Sequence, residues 1–455
     1  MNRIASRSWI VMVFVLILVA GTVFFLGEFA LNAEEWVFFG SPHVYSGMKP
    51  ERGVIVDRDG TALLSLAGDD TYSTDPLTRK AMLHWTGDRD GYVATPVLDR
   101  YTRPMMGYDL VNGLYAYGNA PGVLHLTISS KVQKVALEAL GERKGTVAVY
   151  NYKTGEILCA VSTPSFDPDQ VPDIDSDPVK YEGVYLNRFT QVTYTPGSVF
   201  KIVTTAAALE TIPDFQKQTF ECEGELEIGG GLVTCEYAHG YQTLEEALTN
   251  SCNCAFALIT QQVGGARLQR YVEEFGINSN LIFDGITTEE GFVEADTSAL
   301  HQLCWAGIGQ HTDLVNPCQF MTFMGAVANG GVAVNPYVAK QISVGGSVTY
   351  EAGTTSMDRI MSRSTAEALQ KMMRRNVVEK YGSEHFPGLT VCAKSGTAEK
   401  DGELDPNALF AGFVMDEAYP LAFIVIVEDG GYGASTCVPV ISQVLAACRE
   451  VLDGR

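Results

Sequence analysis

The longest apolar stretch of the chain lies at its N-terminus, where no charged residue occurs between Ser8 and Gly27. About 20 apolar residues, each adding 1.5 Å to a helix, span the ~30 Å hydrocarbon core of a bilayer. Arg3 and Arg7 precede the stretch and glutamates follow it, which places the N-terminus in the cytoplasm and the rest of the chain outside. We therefore predict an uncleaved, single-pass membrane anchor over residues 1–33. The alternative is a cleaved signal peptide, which would have a shorter apolar core and a small-x-small cleavage site.

After the anchor, segments in which apolar and polar residues alternate as in strands are interspersed with segments of helical periodicity. No later segment is long and apolar enough to span a membrane. Alternation and short apolar runs predict strands at Thr146–Asn151, Glu156–Val161, Ala408–Met415 and Leu421–Glu428. Helical periodicity predicts helices at Ser129–Leu140, Ser198–Leu209, Ala266–Phe275 and Val438–Leu452, and a capping box at Thr243 begins another. Strands on both sides of a block of helices favour an antiparallel sheet packed with helices, an α/β-type sandwich.

The part after the anchor has more than 400 residues, which is enough for two or three domains. Residues 34–120 are rich in Gly, Asp and Tyr, with a predicted strand at Val54–Val56 and a turn at Asp59-Gly60. We predict that this segment is a short pedestal, or dimerisation-like domain, that holds the main domain off the membrane. The main domain is predicted at residues 121–455.

Charge and cysteine content exclude some classes of protein. The formal net charge of −22 disfavours nucleic-acid binding. Ten cysteines are few for 455 residues, so the chain is not a disulfide scaffold. Cys222 and Cys235 flank the Gly229-Gly230-Gly231 turn of a predicted hairpin and are the best candidate disulfide, with two free buried thiols as an equal alternative. Cys252-Asn253-Cys254 lacks zinc-finger spacing, so we expect no metal site.

The segment Ser198-Val199-Phe200-Lys201 places a hydroxyl and an amine three residues apart, on one face of a helix. Pro196-Gly197 predicts a turn into that helix, so Ser198 would lie at its N-terminus, where negative charge is stabilised. The helix is apolar on nearly all faces, which leaves Lys201 without a solvated side. A buried lysine near a second cation has a lowered pKa and can take the proton of a serine. We therefore predict a nucleophile and its base, rather than a helix cap and a surface lysine.

Two later segments can complete such a site. Ser251-Cys252-Asn253 alternates on a predicted extended turn, so its hydroxyl can relay a proton while its amide holds a peptide carbonyl. In Lys394-Ser395-Gly396-Thr397, strand alternation places Lys394 and Gly396 on one side and Ser395 and Thr397 on the other. The lysine and the hydroxyls can bind a carboxylate, and the glycine lets a ligand backbone lie close. A backbone N–H of this strand, with that of Ser198, can form an oxyanion hole.

Two similar segments serve as internal controls. Ser46-Gly47-Met48-Lys49 repeats the S-x-x-K spacing, but Pro50 follows it and disfavours a shared helix face. Lys153-Thr154-Gly155 repeats the third segment in the wrong order along the chain and is better explained as a hairpin turn. Neither is predicted to be catalytic.

The ordered set S-x-x-K, S-x-N and K-S-G-T resembles the signature of penicillin-binding proteins. The chain as a whole resembles class B penicillin-binding proteins, the monofunctional peptidoglycan D,D-transpeptidases, over nearly all of the part that follows the anchor. The fold implied is a penicillin-binding or β-lactamase-like transpeptidase domain. The segments that carry the resemblance are Arg52–Gly60, Leu126–Ile128, Lys153–Ile157, Pro164–Pro168, Asn187, Tyr194–Lys201, Ser251–Asn253 and Lys394–Glu399.

The resemblance implies a reaction in which a stem peptide ending in D-Ala-D-Ala acylates a serine, D-Ala leaves and an amine of a neighbouring strand resolves the acyl-enzyme. β-Lactams mimic the donor, and no cofactor is implied. The N–H of Thr397 would complete the oxyanion hole. The residues assigned by the resemblance are Ser198, Lys201 and Ser251 for catalysis and Asn253, Lys394, Ser395, Gly396 and Thr397 for substrate binding.

Partners and alternatives follow from the same resemblance. The pedestal is short and no glycosyltransferase module precedes it, so we expect glycan polymerisation to come from a partner, a multi-spanning polymerase. A D,D-carboxypeptidase, which would transfer the acyl group to water, is the next alternative. A non-catalytic penicillin-binding scaffold would carry a broken motif, and a β-lactamase would lack anchor and pedestal. A penicillin-sensing receptor would have several membrane spans.

Overall fold

The computed structural model describes residues 2–33, 36, 52–66, 70–115, 122–296, 299–399 and 405–454. Its helices are α1 (Asn2–Asn32), α2 (Pro76–Thr86), α3 (Pro96–Met106), α4 (Ser130–Leu140), α5 (Lys201–Thr211), α6 (Leu244–Thr249), α7 (Asn253–Val263), α8 (Gly265–Glu274), α9 (Leu300–Ile308), α10 (Pro317–Ala328), α11 (Arg363–Asn376) and α12 (Gly433–Leu452). A 3₁₀ turn, Gly197–Phe200, leads into α5, and a π-helical turn, Val377–Tyr381, follows α11.

The strands before the central helices are β1 (Val54–Val56), β2 (Ala62–Ser65), β3 (Thr71–Tyr72), β4 (Tyr108–Asp109), β5 (Leu114–Tyr115), β6 (Val123–Leu126), β7 (Gly145–Asn151) and β8 (Ile157–Thr163). The later strands are β9 (Thr219–Cys222), β10 (Glu225–Ile228), β11 (Gly231–Thr234), β12 (Gly240–Thr243), β13 (Ile282–Phe283), β14 (Ile286–Thr287), β15 (Val332–Val334), β16 (Ala339–Val344), β17 (Ser347–Glu351), β18 (Ser356–Arg359), β19 (Val391–Ala398), β20 (Asn407–Val414) and β21 (Leu421–Val427).

The central sheet is antiparallel and has the strand order β19-β20-β21-β7-β8. In β21, Phe423 and Val425 face a core layer that contains α4 and α12, whereas Ile424 and Ile426 face the layer that contains α10 and α5. Both faces of the sheet are therefore covered, which explains why β20 and β21 are continuously apolar. The predicted α/β-type sandwich with an antiparallel sheet is confirmed, and β19 lies at its edge beside the turn that precedes α5.

A second sheet joins strands from both sides of the predicted boundary at residue 120. Its order is β17-β16-β6-β1-β2-β3, with β1 parallel to β6 and the other pairs antiparallel. The strand predicted at Val54–Val56 is therefore held by Val123–Leu126 rather than by its own segment alone. The division into a pedestal at 34–120 and a main domain at 121–455 stays a prediction.

Two helices among the described residues are long and apolar enough to cross a membrane. The first, Arg7–Asn32, has a mean hydropathy of 2.9 and no buried portion. The second is α12, in which 44% of the apolar window is buried against the central sheet and α4. α12 is therefore a core helix, and α1 is the candidate membrane anchor.

Most predicted elements are present with shifted ends, and two differ in local geometry. The helix predicted at Ser198–Leu209 begins with the 3₁₀ turn, because Gly197 enters it with a positive φ of 56°. Ser251 does not lie on an extended turn: it has a φ of 54°, in the left-handed region, between α6 and α7. The control segment Lys153–Gly155 forms the predicted hairpin turn, while Ser46–Lys49 lies outside the described residues.

Candidate active site

Ser198 lies on the 3₁₀ turn that packs directly against the edge strand β19. A side chain at Gly197 would place its Cβ 2.7 Å from the carbonyl oxygen of Thr397, and one at Gly396 would lie 2.6 Å from that of Pro196. Only glycine at both positions allows the turn and the strand to approach this closely. The contact brings the backbone of Ser198 and that of Thr397 side by side, where two N–H groups can share one oxyanion.

Lys201 is fully buried at the start of α5 and reaches four oxygen atoms. Its Nζ lies 2.6 Å from the carbonyl oxygen of Ser251 and 2.7 Å from Oδ1 of Asn253, both of which can only accept hydrogen bonds. The Oγ atoms of Ser198 and Ser251 lie 3.0 Å and 3.2 Å away. A neutral amine would use its two N–H groups on the two acceptors, so its lone pair is left for the hydroxyl proton of Ser198.

Ser251 connects the two buried lysines of the site. Its Oγ lies 3.2 Å from Nζ of Lys201 and 3.1 Å from Nζ of Lys394. Lys394 also donates to the carbonyl oxygen of Ser395 at 2.9 Å. A proton can therefore pass between the lysines through one hydroxyl.

Burial changes the titration of both lysines. The pKa of Lys201 is lowered well below its usual value, first because burial disfavours the charged form and then because the positive charge of Lys394 repels a second one. Burial lowers the pKa of Lys394 to about 7. Lys201 is therefore suited to act as a base near neutral pH, while Lys394 can still carry charge.

Asn253 is the first residue of α7, and both ends of its amide are engaged. Oδ1 accepts from Lys201, and Nδ2 donates to the carbonyl oxygen of Thr234 at 2.9 Å. This fixes the amide orientation and leaves one N–H of Nδ2 for a substrate carbonyl. The site residues predicted from the first two motifs therefore lie together.

The third motif lies on β19 with the predicted alternation. Lys394 and Gly396 are buried, whereas Ser395 and Thr397 are half-buried on the other side, at the edge of the cleft. Gly433 donates its N–H to Oγ1 of Thr397 at 3.3 Å. The hydroxyls of Ser395 and Thr397 therefore project from the same face of the strand.

Tyr381 is a site residue that the sequence analysis missed. It follows α11 on the π-helical turn, and its Oη lies 3.0 Å from Oγ of Ser395 and accepts the Ser395 N–H at 3.0 Å. Because that N–H uses an acceptor position of the phenol, the phenol proton can point to Oγ, and the Ser395 proton is then free for the cleft. Burial raises the pKa of Tyr381, so the phenol keeps its proton. The sequence signal is weak, since nothing near Tyr381 marks its distance to β19.

A second group of side chains lies on the opposite side of the Ser251–Asn253 segment. Its donor atoms all lie within 4.8 Å of one another, a spacing at which they can hold a metal ion. All ten cysteines are free thiols. Of the predicted alternative of two free buried thiols, Cys222 is buried whereas Cys235 is half-buried. We call this group the thiol–imidazole cluster; its members are Cys222, Cys235, His239 and Cys252.

Comparison with known proteins identifies the family. The model of the penicillin binding protein transpeptidase domain matches residues 145–446. Stage V sporulation protein D of Bacillus subtilis is 30% identical over 414 residues, covering 84% of this chain and 59% of that protein. The peptidoglycan D,D-transpeptidase PbpA of Mycobacterium tuberculosis is 28% identical, with 82% of each chain covered. The chain therefore belongs to the penicillin-binding protein transpeptidase family, and its relatives are class B penicillin-binding proteins, as the motifs predicted.

Solved structures share this fold. A D,D-transpeptidase domain of a peptidoglycan glycosyltransferase from Eggerthella lenta has a TM-score of 0.77 and 25% identity and covers 89% of this chain and 99% of that one. A ceftriaxone acyl-enzyme complex of penicillin-binding protein A from M. tuberculosis has a TM-score of 0.76 and 23% identity, covering 88% and 98%. A complex of PBP2 and MreC from Helicobacter pylori has a TM-score of 0.62 and 21% identity, covering 72% and 64%.

Proposed function

We propose that this chain is a peptidoglycan D,D-transpeptidase that cross-links stem peptides through an acyl-serine intermediate and is inhibited by β-lactams. The observation that carries the proposal is the contact of one buried amine, Nζ of Lys201, with Oγ of Ser198 at 3.0 Å and Oγ of Ser251 at 3.2 Å. This contact supports the assignment of Ser198 as the nucleophile, Lys201 as its base and Ser251 as the relay hydroxyl.

In the proposed acylation, Oγ of Ser198 attacks the carbonyl carbon between the two D-Ala residues and gives its proton to Lys201. The oxyanion that forms is held by the N–H groups of Ser198 and Thr397. As the C–N bond breaks, the proton passes from Lys201 through the hydroxyl of Ser251 to the leaving amine, and D-Ala departs. Deacylation runs the same steps in reverse with the acceptor amine as nucleophile.

The donor peptide is held at both sides of the scissile bond. Its terminal carboxylate binds the hydroxyls of Ser395 and Thr397, next to the charge of Lys394. Its backbone lies beside β19, and a carbonyl accepts from Nδ2 of Asn253. Gly396 does not make room for the ligand as predicted, because the turn at Pro196 fills the space beside it. β19 is an edge strand, but side chains already bond its outer backbone groups at Val391, Ala393 and Ser395, so the donor is expected to lie against its Thr397 end.

The orientation of the protein and its partner are part of the proposal. The arginines before the apolar stretch favour a cytoplasmic N-terminus, with the catalytic domain outside. Helix α1 would hold the enzyme where new glycan strands emerge, so a multi-spanning glycan polymerase is the proposed partner. Co-purification from detergent-solubilised membranes should recover such a protein, and its repeated absence would contradict this part.

The test uses the full chain in detergent with an acylated peptide that ends in D-Ala-D-Ala and an added amine acceptor. Release of D-Ala together with an aminolysis product that outweighs the hydrolysis product would support a transpeptidase. Mostly hydrolysis would favour the carboxypeptidase alternative. Ser198→Ala should release no D-Ala, and release equal to that of the wild type would refute the assigned nucleophile.

A further inference from the structure

The thiol–imidazole cluster is assembled from four separate parts of the fold. Cys222 ends β9, Cys235 follows β11, His239 precedes β12 and Cys252 is the N-cap residue of α7. In sequence, 12, 3 and 12 residues separate successive members. Cys252 and Cys254 lie two residues apart, a spacing that argues against a zinc finger. Of these two, only Cys252 belongs to the thiol–imidazole cluster.

Two of the six distances between the four candidate ligand atoms match a tetrahedral metal site, and all six are within 4.8 Å. Sγ of Cys235 lies 3.7 Å from Sγ of Cys252, and Sγ of Cys222 lies 3.4 Å from Nδ1 of His239. With metal–sulfur bonds of about 2.3 Å and metal–nitrogen bonds of about 2.0 Å, ligand atoms at the corners of a tetrahedron are roughly 3.5–3.8 Å apart. The observed separations are also far beyond the ~2.05 Å of a disulfide bond.

The alternative explanation is ordinary packing of small apolar side chains. It accounts for Cys222 and Cys252, which are almost fully buried, since a free cysteine packs like a small hydrophobic residue. It does not account for the half-buried His239, whose Nδ1 points to Cys222. Nor does it account for a convergence of three thiols, which give one another only weak hydrogen bonds.

The surroundings of the sulfurs resemble an outer shell of a metal site. The N–H of Cys254 donates to Sγ of Cys235 at 3.4 Å, and the N–H of Ala255 donates to Sγ of Cys252 at 3.3 Å. The thiol of Cys254 also donates to Sγ of Cys235, at 3.5 Å. Such donors stabilise negative sulfur, which is the form that binds a metal.

We propose that the thiol–imidazole cluster is a structural zinc site that fastens the β9–β12 region to the start of α7. Three thiolates and one imidazole in a closed tetrahedral set are the ligands that zinc prefers. The site shares Cys252 with the segment that carries Ser251 and Asn253. Zinc therefore also holds the left-handed turn at Ser251 in place.

The test measures zinc in the full chain, purified in detergent under reducing conditions without a metal-binding tag. After dialysis against buffer with a trace of zinc chloride, elemental analysis should give about one zinc per chain for the wild type. The matched control is Cys437→Ala, which removes a buried thiol of α12 and should keep the zinc. Cys222→Ala combined with Cys235→Ala should lose it.

Two further measurements keep the test decisive if the double variant does not fold. His239→Ala changes a half-buried side chain and should release zinc to a chelator much faster than the wild type. Cobalt in place of zinc should give thiolate charge-transfer and tetrahedral visible bands in the wild type. In His239→Ala three thiolates remain, so cobalt should bind more weakly and the visible bands should shift. Removal of the metal should lower Tm by about 5 °C, and zinc should restore it.

Wild-type protein that retains no zinc, or a double-cysteine variant that retains as much as the wild type, would overturn the proposal. So would an intact mass showing disulfides among these cysteines in protein that remains folded and metal-free. None of these readouts depends on transpeptidase activity, so the zinc site and the proposed function can fail separately.

Discussion

The two sides of the Ser251–Asn253 segment differ in how they satisfy buried polar groups. On one side, the amines of Lys201 and Lys394 are surrounded by oxygen atoms, with distances of 2.6–3.2 Å from Nζ. On the other side, sulfur atoms meet at 3.5–3.7 Å. The amines have oxygen atoms as hydrogen-bond partners and can exchange a proton. The thiols have only weak hydrogen-bond partners unless a metal is bound. Under the two proposals, one tripeptide serves both a reactive site and a structural one.

The largest expected effect comes from removing the amine of Lys201. Lys201→Met should lower the rate constant for acylation by benzylpenicillin by roughly 10²–10⁴-fold, the usual contribution of a general base. The unfolding temperature should change little, because the relief from burying an amine is offset by the two acceptors left without a donor at Ser251 and Asn253. Fluorescent-penicillin labelling and thermal unfolding measure the two effects.

The control for that change is Lys153→Met in the hairpin turn, where the amine donates to Oδ1 of Asn329 and lies over the ring of Tyr152, away from the candidate site. It should acylate like the wild type. Zinc content should be the same in both variants, because neither touches a sulfur. A Lys201→Met enzyme that still acylates within threefold of the wild type would remove the lysine from its assigned role.

The next effect concerns the contact between the 3₁₀ turn and β19. Gly197→Ala should reduce acylation by about 100-fold, since its Cβ would lie 2.7 Å from the Thr397 carbonyl and displace the oxyanion N–H groups. Gly230→Ala is the matched control, because Gly230 also has a positive φ, of 81°, but nothing lies within 4 Å of its Cβ. It should cost stability through strain and leave acylation unchanged. Equal loss in both would attribute the effect to folding rather than to the contact.

The pH profile separates the two lysines. Acylation needs Lys201 neutral, so kcat/KM should fall as pH drops through its lowered pKa. Carboxylate binding needs Lys394 charged, so kcat/KM should also fall as pH rises above about 7. On each limb of the profile, the change in kcat/KM should approach tenfold per pH unit.

The variant that distinguishes the limbs is Lys394→Gln. It should abolish the basic limb and move the acidic limb to higher pH, because the charge that repels the Lys201 proton is gone. A basic limb that persists unchanged in this variant would show that another group titrates there.

The smallest effect concerns Tyr381. Tyr381→Phe should raise KM for the peptide donor by about tenfold with little change in kcat, because the loss of one hydrogen bond frees the Ser395 hydroxyl to turn away from the carboxylate. Donor peptides with an amidated C-terminus should show no such difference. An equal change for both peptides would assign Tyr381 a purely structural role.

The meeting of the candidate catalytic residues could be predicted from the sequence because each carries its own local signal. The spacing of Ser198 and Lys201 fixes a shared helix face, and alternation along β19 fixes which side Ser395 occupies. The left-handed Ser251 was not predictable, since its φ is imposed by the α6–α7 junction. Tyr381 and the thiol–imidazole cluster come from separate parts of the chain, and local periodicity carries no information about their meeting.

The elements of the fold also divide into those with a local sequence signal and those without one. Continuous apolar runs predicted β20, β21 and α12, because both faces of those elements are buried or packed. The joining of β1 to β6 and β16 was not predicted, since pairing between distant strands leaves no short-range mark.

The most direct test of the central claim is the intact mass of the full chain over time with benzylpenicillin, for the wild type and Ser198→Ala. We expect one penicilloyl group per wild-type chain, persisting for many minutes, with peptide mapping to Ser198 and no adduct on the variant. An adduct on another residue, an equal adduct on the variant, or steady consumption of penicillin without an adduct would contradict the account.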